Sequence, residues 1–326
     1  MKYKYIYFLF FISCINDSNE NFELKYYRFE EKLFNLNSEN ISEGLDSLRK
    51  ENLSFFSIFQ REIVRNEGLS DQEYEKEILR FIGHSDMREA YDSVHFYFND
   101  FSDIISELNT ALSIFNQHFP SYPIPNITTF FGGFNYGVFS YEDNIAIGLE
   151  SFLGISSKYY NLLENPYYLR LQRQRKFITP NVIETFYNLH FINYKNINNN
   201  FLSEIIYRGK IMYFMDKLTP EILLSNKFRF SNEQMNWAIK NEYSVWTYFI
   251  ENDLLYSSSE QNYRSYLNHA PFSKGMPREA PSRIAYYIGY KIIKSYMKNN
   301  NVSLKELVVK NDANDILKKS KYKPRK

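Results

Sequence analysis

The 326-residue chain carries one cysteine, Cys14, so no internal disulfide can brace it and packing alone must hold its fold. Its 29 tyrosines and 29 phenylalanines supply that packing, because each aromatic ring removes a large apolar area from water. The lone cysteine also has an unusual setting. It follows MKYKYIYFLFFIS, with Lys2 and Lys4 at a positive start, an apolar run from Tyr5 to Ile12, and small Ser13 directly before it. That is the layout of a cleavable secretory signal. A membrane-spanning helix takes roughly 20 apolar residues, and the run between Lys4 and Cys14 is far shorter, so it is a poor permanent anchor.

A cysteine behind a small residue at the end of such a run resembles a lipoprotein processing site, although Phe11 stands three positions earlier where Leu is commonest. The ordinary alternative is a buried apolar cysteine. The polar stretch INDSNEN that follows Cys14 has no apolar periodicity to bury it. The expected organisation is therefore a signal peptide over 1–13, a lipidated tether over 14–21 beginning at Cys14, and a single α+β domain over 22–326. A single acyl chain at about 0.8 kcal/mol per buried methylene holds marginally, and two or three chains anchor stably. The membrane is thus the first expected partner, engaged through lipid.

The formal charge of +1 gives no field for holding nucleic acid or an anionic surface, so no nucleic-acid partner is expected. The basic end KKSKYKPRK reads as a solvated terminus. No uninterrupted apolar stretch after Cys14 approaches membrane-spanning length.

Along the chain, the alternation in ELKYYRF predicts a strand near residues 24–28, passing into a helix around 30–34. Phe101, Ile104, Ile105, Leu108, Leu112, Phe115 and Phe119 form one stripe of a helix over about 100–119, ended before Pro120. The β-branched and aromatic stretch that follows, punctuated by Gly132, Gly133, Gly137 and Gly148, predicts a small sheet. Helices are predicted near 180–192, 201–218, 231–252, 282–299 and 303–310. Pro180 after Thr179 marks the start of the first, and Ser303 with Glu306 forms a capping box for the last. The fold class is α+β, mainly α-helical with a small antiparallel or mixed sheet.

Local catalytic motifs are missing. The five histidines, His84, His95, His118, His190 and His269, contain no pair at four-residue spacing, so H-E-x-x-H does not occur. Gly132 and Gly133 lack a following Lys-Ser or Lys-Thr and read as a turn or bulge. There is no G-x-S-x-G elbow, and the only thiol is consumed by lipidation. No cofactor and no metal are expected.

The C-terminal half carries IIYRGKIMYFMDKLTP, MNWAIKNEYSVWTYFIENDLLYS, APFSKGMPREAPSRIAYYIGYKIIKSYM and a final SKYKP. In order and spacing these resemble the gliding motility lipoprotein GldB family of the Bacteroidetes. The upstream EDNIAIGLESFLG and KYYRFE fit the same family. The resemblance implies an outer-membrane lipoprotein with its body in the periplasm, required for gliding and working with other motility or envelope proteins. The GldB family is in turn similar to predicted zinc-dependent proteases, which implies a degenerate zincin-like metallopeptidase architecture. Aligned by pattern, IETFY places Ile183 and Tyr187 at two ligand positions, Glu184 at the general base, and Arg208 before Gly209 at the third ligand. A guanidinium stays protonated and repels a divalent cation. Glu184 is then expected to pair with Arg208, unless it is a solvated helix residue.

Three functions remain open from the sequence. The first is a non-catalytic envelope or motility component acting through protein contacts. The second is a membrane-anchored metallopeptidase whose site would be assembled from His190, His269 and acidic residues. The third is a pseudo-peptidase that binds a peptide or glycan in the old cleft.

Overall fold

A computed structural model describes residues 23–66, 68–195 and 198–326. The signal-like run, Cys14 and the polar tether lie outside the described residues. Four short strands, β1 (Tyr26–Arg28), β2 (Ile127–Phe130), β3 (Val138–Tyr141) and β4 (Asn144–Gly148), form one mixed sheet in the order β1-β2-β4-β3. β1, β2 and β4 run parallel, and β3 pairs antiparallel with β4 across a tight turn at Glu142 and Asp143. Glu142 takes φ 45° there, the left-handed backbone that two-residue hairpin turns demand. The central strands β2 and β4 are almost wholly buried, which is why ITTF and NIAIG read as apolar runs rather than alternations.

The sheet is therefore mixed, and the rest of the fold is helical. Ser102–His118 buries Ile104, Leu108, Leu112 and Phe115 along the stripe seen in the sequence. Between residues 41 and 97, where pattern alone assigns no element, lie Ile41–Glu51, Leu53–Ile58, a π-helical turn Phe59–Ile63, Asp71–Gly83 and Ser85–Tyr97. The helix read over 231–252 is two helices, Asn232–Lys240 and Glu242–Glu251. They break at Asn241, whose side-chain amide donates to the Trp237 carbonyl at 2.8 Å and so competes with the helical ladder. The helix expected to start at Pro180 begins at Ile178 instead. Pro180 then sits within the first turn, where a missing N–H costs no intrahelical bond. The capping box at Ser303 forms as expected, Glu306 accepting from the Ser303 backbone at 2.8 Å.

At the centre lies the inner helix Phe201–Leu218, buried on nearly every side, as its all-round apolar sequence requires. It packs against Ile284–Asn299 at a point where two backbones meet, Gly209 on one helix and Gly289 on the other. A Cβ on Gly209 would overlap the Gly289 backbone, and one on Gly289 would overlap the Ile205 carbonyl. Lys210, also buried, donates to the carbonyls of Val308 at 3.1 Å and Lys310 at 2.9 Å. It thereby satisfies carbonyls at the C-terminal end of Leu304–Val309, while burial lowers its amine to about 7. Buried apolar side chains form one cluster running from Leu24 to Ile316. Among the described residues no helix is long and apolar enough to cross a membrane.

One buried acid fastens the sheet to the loop after it. Gly132 and Gly133 lie in that loop, beyond the end of β2. The Glu150 carboxylate accepts from the backbone N–H of Gly132 at 2.8 Å and of Phe134 at 3.1 Å, while its Oε2 has no partner among the described residues. Burial pushes this carboxyl up to about 7, against the pull of those hydrogen bonds. A folded value above the unfolded one means that, between pH 4.5 and about 7, the native chain holds a proton that the unfolded chain has lost. Stability is therefore expected to fall as pH rises through that window. Glu150→Gln keeps the acceptor without the charge, so it should flatten the slope and stabilise the fold above neutrality by on the order of 2 kcal/mol. Denaturant melts of both proteins across the window test this, and parallel pH profiles would assign the titration elsewhere.

Candidate functional cleft

Ile178–Phe191 presents two faces. Ile183 and Tyr187, one turn apart, are fully buried in the core. Tyr187 packs against Phe191, Tyr207 and Phe214, and its hydroxyl finds no partner among the described residues. The other face carries Asn181, Glu184, Thr185 and Asn188, which line a cleft of about 310 Å³. Of the four positions singled out by pattern, the structure thus brings together Glu184 and Arg208 and leaves Ile183 and Tyr187 inside the core.

Glu184 has closer partners than Arg208. Arg208 Nη1 stands 3.9 Å from its Oε1, and Arg208 Nε is 3.9 Å from Glu204, which Lys195 also holds at 2.5 Å. Arg229 contacts Glu184 directly, and Arg283 Nη2 lies 3.3 Å from Oε2. The hydroxyl of Tyr286 donates to the same carboxylate at 3.3 Å. Both new arginines are placed by the backbone: Arg229 closes the short helix Leu224–Phe228 at φ 58°, and Arg283 precedes Ile284–Asn299 at φ 62°. These left-handed residues turn the chain so that each guanidinium lies beside the same carboxylate, with only 6% and 5% of the side chains exposed. Arg283 also lies 3.9 Å from the centre of the Tyr286 ring, a cation–π contact.

The arginines set the electrostatics. Burial pulls the Arg229 guanidinium well below its ordinary value and Arg283 adds to that, yet the guanidinium has so high a starting value that it stays protonated. Burial, helped by Arg283 and Arg229, drives the His269 imidazole down to about 2, so it is neutral. Burial alone would raise the Tyr286 phenol, but Arg283, Arg208 and Arg229 together outweigh it and lower its value. His190, the other histidine considered for a metal site, does not line this cleft. It packs among Phe115, Tyr122 and Phe186. No group of three or more potential metal ligands occurs among the described residues.

Arg229, Arg283, Tyr286 and His269 were not singled out as a cleft by the sequence. One local signal exists for Arg229, a cation within the aromatic run KFRF. Arg283 has none beyond standing just before an apolar helix.

The family model described as gliding motility protein GldB matches residues 15–324. The chain belongs to the GldB family. No curated protein and no solved structure matches it. The cleft is thus a feature of a gliding motility protein, and two of its residues, Arg283 and Tyr286, lie in the family-like stretch APFSKGMPREAPSRIAYYIGYKIIKSYM, while Arg208, which approaches Glu184, lies in IIYRGKIMYFMDKLTP.

Proposed function

We propose that this GldB-family chain is a lipid-anchored component of the motility machinery. It is tethered to the outer membrane through Cys14 with its body in the periplasm, and it acts through protein contacts rather than by catalysis. The anchor is supported by the positive start, the short apolar run and Ser13 before Cys14. The observation that carries the non-catalytic reading is the engagement of Glu184 by Arg208, Arg229 and Arg283. In the protease likeness Glu184 would be the general base beside a metal. Here three guanidiniums stand around it, and they repel a divalent cation. Protein contacts are supported by Phe96, which is 85% exposed, and Tyr97. These border a cleft of about 640 Å³ that Leu153 and Tyr159 also line. Exposed aromatic side chains such as these two are enriched at association surfaces.

Cys14→Ser is expected to leave an uncut precursor and abolish acyl labelling in cells fed a labelled fatty acid. Undiminished labelling would overturn the anchor. Stoichiometric zinc in the purified chain, together with proteolysis, would overturn the non-catalytic reading.

A further inference from the structure

Three arginines around one carboxylate leave positive charge uncompensated. Lys195, Arg208, Arg229 and Arg283 face only Glu184 and Glu204 in this network, an excess of two cations over anions. Donors are also left over. Arg229 Nε and Arg283 Nη1 are buried without a hydrogen-bond partner among the described residues, on side chains more than nine-tenths buried. An unmade bond to a charged donor in such a place is costly, and native structures normally satisfy it with a ligand or ordered water.

Both arginines line the cleft of about 310 Å³. Glu184 is the one anion on its walls and is already engaged by these arginines; the other walls are neutral and polar, with Asn181, Asn188, Asn268, Thr185, His269 and Tyr286, and Leu267 is the one aliphatic side chain there. Such a lining suits a small, oxygen-rich, negatively charged group and not an apolar or cationic one. Guanidinium forks match tetrahedral oxyanions as well as carboxylates. The size of the excess separates the two, since a carboxylate supplies one negative charge and a phosphate approaches two above its second pKa of about 6.

We propose that the cleft is a phosphate-binding site, taking a free phosphate or a phosphate monoester against Arg229 and Arg283. The proposal rests on the cleft alone and stands or falls apart from the Cys14 anchor. Asn268 is exposed on the cleft wall, outside the buried ion cluster. A carboxylate placed there repels an incoming anion without disturbing the packing.

Isothermal titration of the full chain in detergent with inorganic phosphate, at about pH 8 where the ion is a dianion, tests the site. Saturable binding of one phosphate per chain is expected. Asn268→Asp should weaken it at least about fivefold and Arg283→Met at least about tenfold, changes of the size that one lost charge contact produces. Circular dichroism checks that Asn268→Asp keeps the fold, so a failure of Arg283→Met to fold leaves the test intact. Glycerol 3-phosphate is titrated in parallel: tighter binding than phosphate assigns the site to a monoester, and weaker binding to the free ion. Absence of saturable binding, unchanged affinity in Asn268→Asp, or displacement of phosphate by equimolar acetate would each overturn the proposal.

Discussion

Glu184→Gln should destabilise the chain by about 3 to 5 kcal/mol, the range for removing one member of a buried ion pair. The amide keeps the shape but leaves Arg229 and Arg283 facing each other without an anion between them. Both are nearly inaccessible to solvent, so water cannot take over the screening that weakens surface pairs. The partners should separate in a double-mutant cycle. Coupling of Glu184→Gln to Arg229→Met is expected to be large, whereas coupling to Arg208→Met should be smaller. Arg208 approaches only to 3.9 Å, is 25% exposed and shares itself with Glu204. Equal couplings, or a Glu184→Gln melt that coincides with the parent's, would show that the carboxylate does not hold the cluster together.

Gly289→Ala should be comparably damaging, about 3 kcal/mol or more, at the upper end of the overpacking range. The new methyl would collide with the Ile205 carbonyl and come within 2.9 Å of Gly209 Cα. These are backbone atoms of the inner helix, so no rotamer change relieves the clash. The two longest helices of the C-terminal half would have to move apart, opening gaps throughout a core packed against both. Gly83→Ala provides the contrast, since a methyl there meets nothing within 4 Å. It should be neutral or slightly stabilising, because it restricts the unfolded chain without strain. Equal melting temperatures for the two variants would show that the helix crossing tolerates separation.

The two predictions address different kinds of information. The Gly209 and Gly289 contact belongs to helices that the sequence already outlines. Phe201–Leu218 is an apolar run too long for a strand, and Ile284–Asn299 repeats its apolar positions at the 3.6-residue period that a helix with a buried face writes in consecutive residues. For the same reason Ser102–His118, the capping box at Ser303 and the strand-rich stretch around Gly132 to Gly148 are legible. The helices between 41 and 97 were not read, and neither was the break at Asn241. There a single side chain competing for one carbonyl decides whether a helix continues.

The amino-acid sequence alone requires that packing hold this chain, since its single cysteine rules out an internal disulfide. It also determined the helix-dominated class and the GldB resemblance, all of which rest on composition or on neighbours along the chain. The surroundings of Glu184 come from the fold instead. The sequence offered Arg208, on the separate helix Phe201–Leu218, and the fold added Arg229 and Arg283 at closer range. Nothing local marks these arginines as partners. Coulomb interaction acts through distance in space, and that distance was set by two left-handed residues at helix ends far apart in the chain.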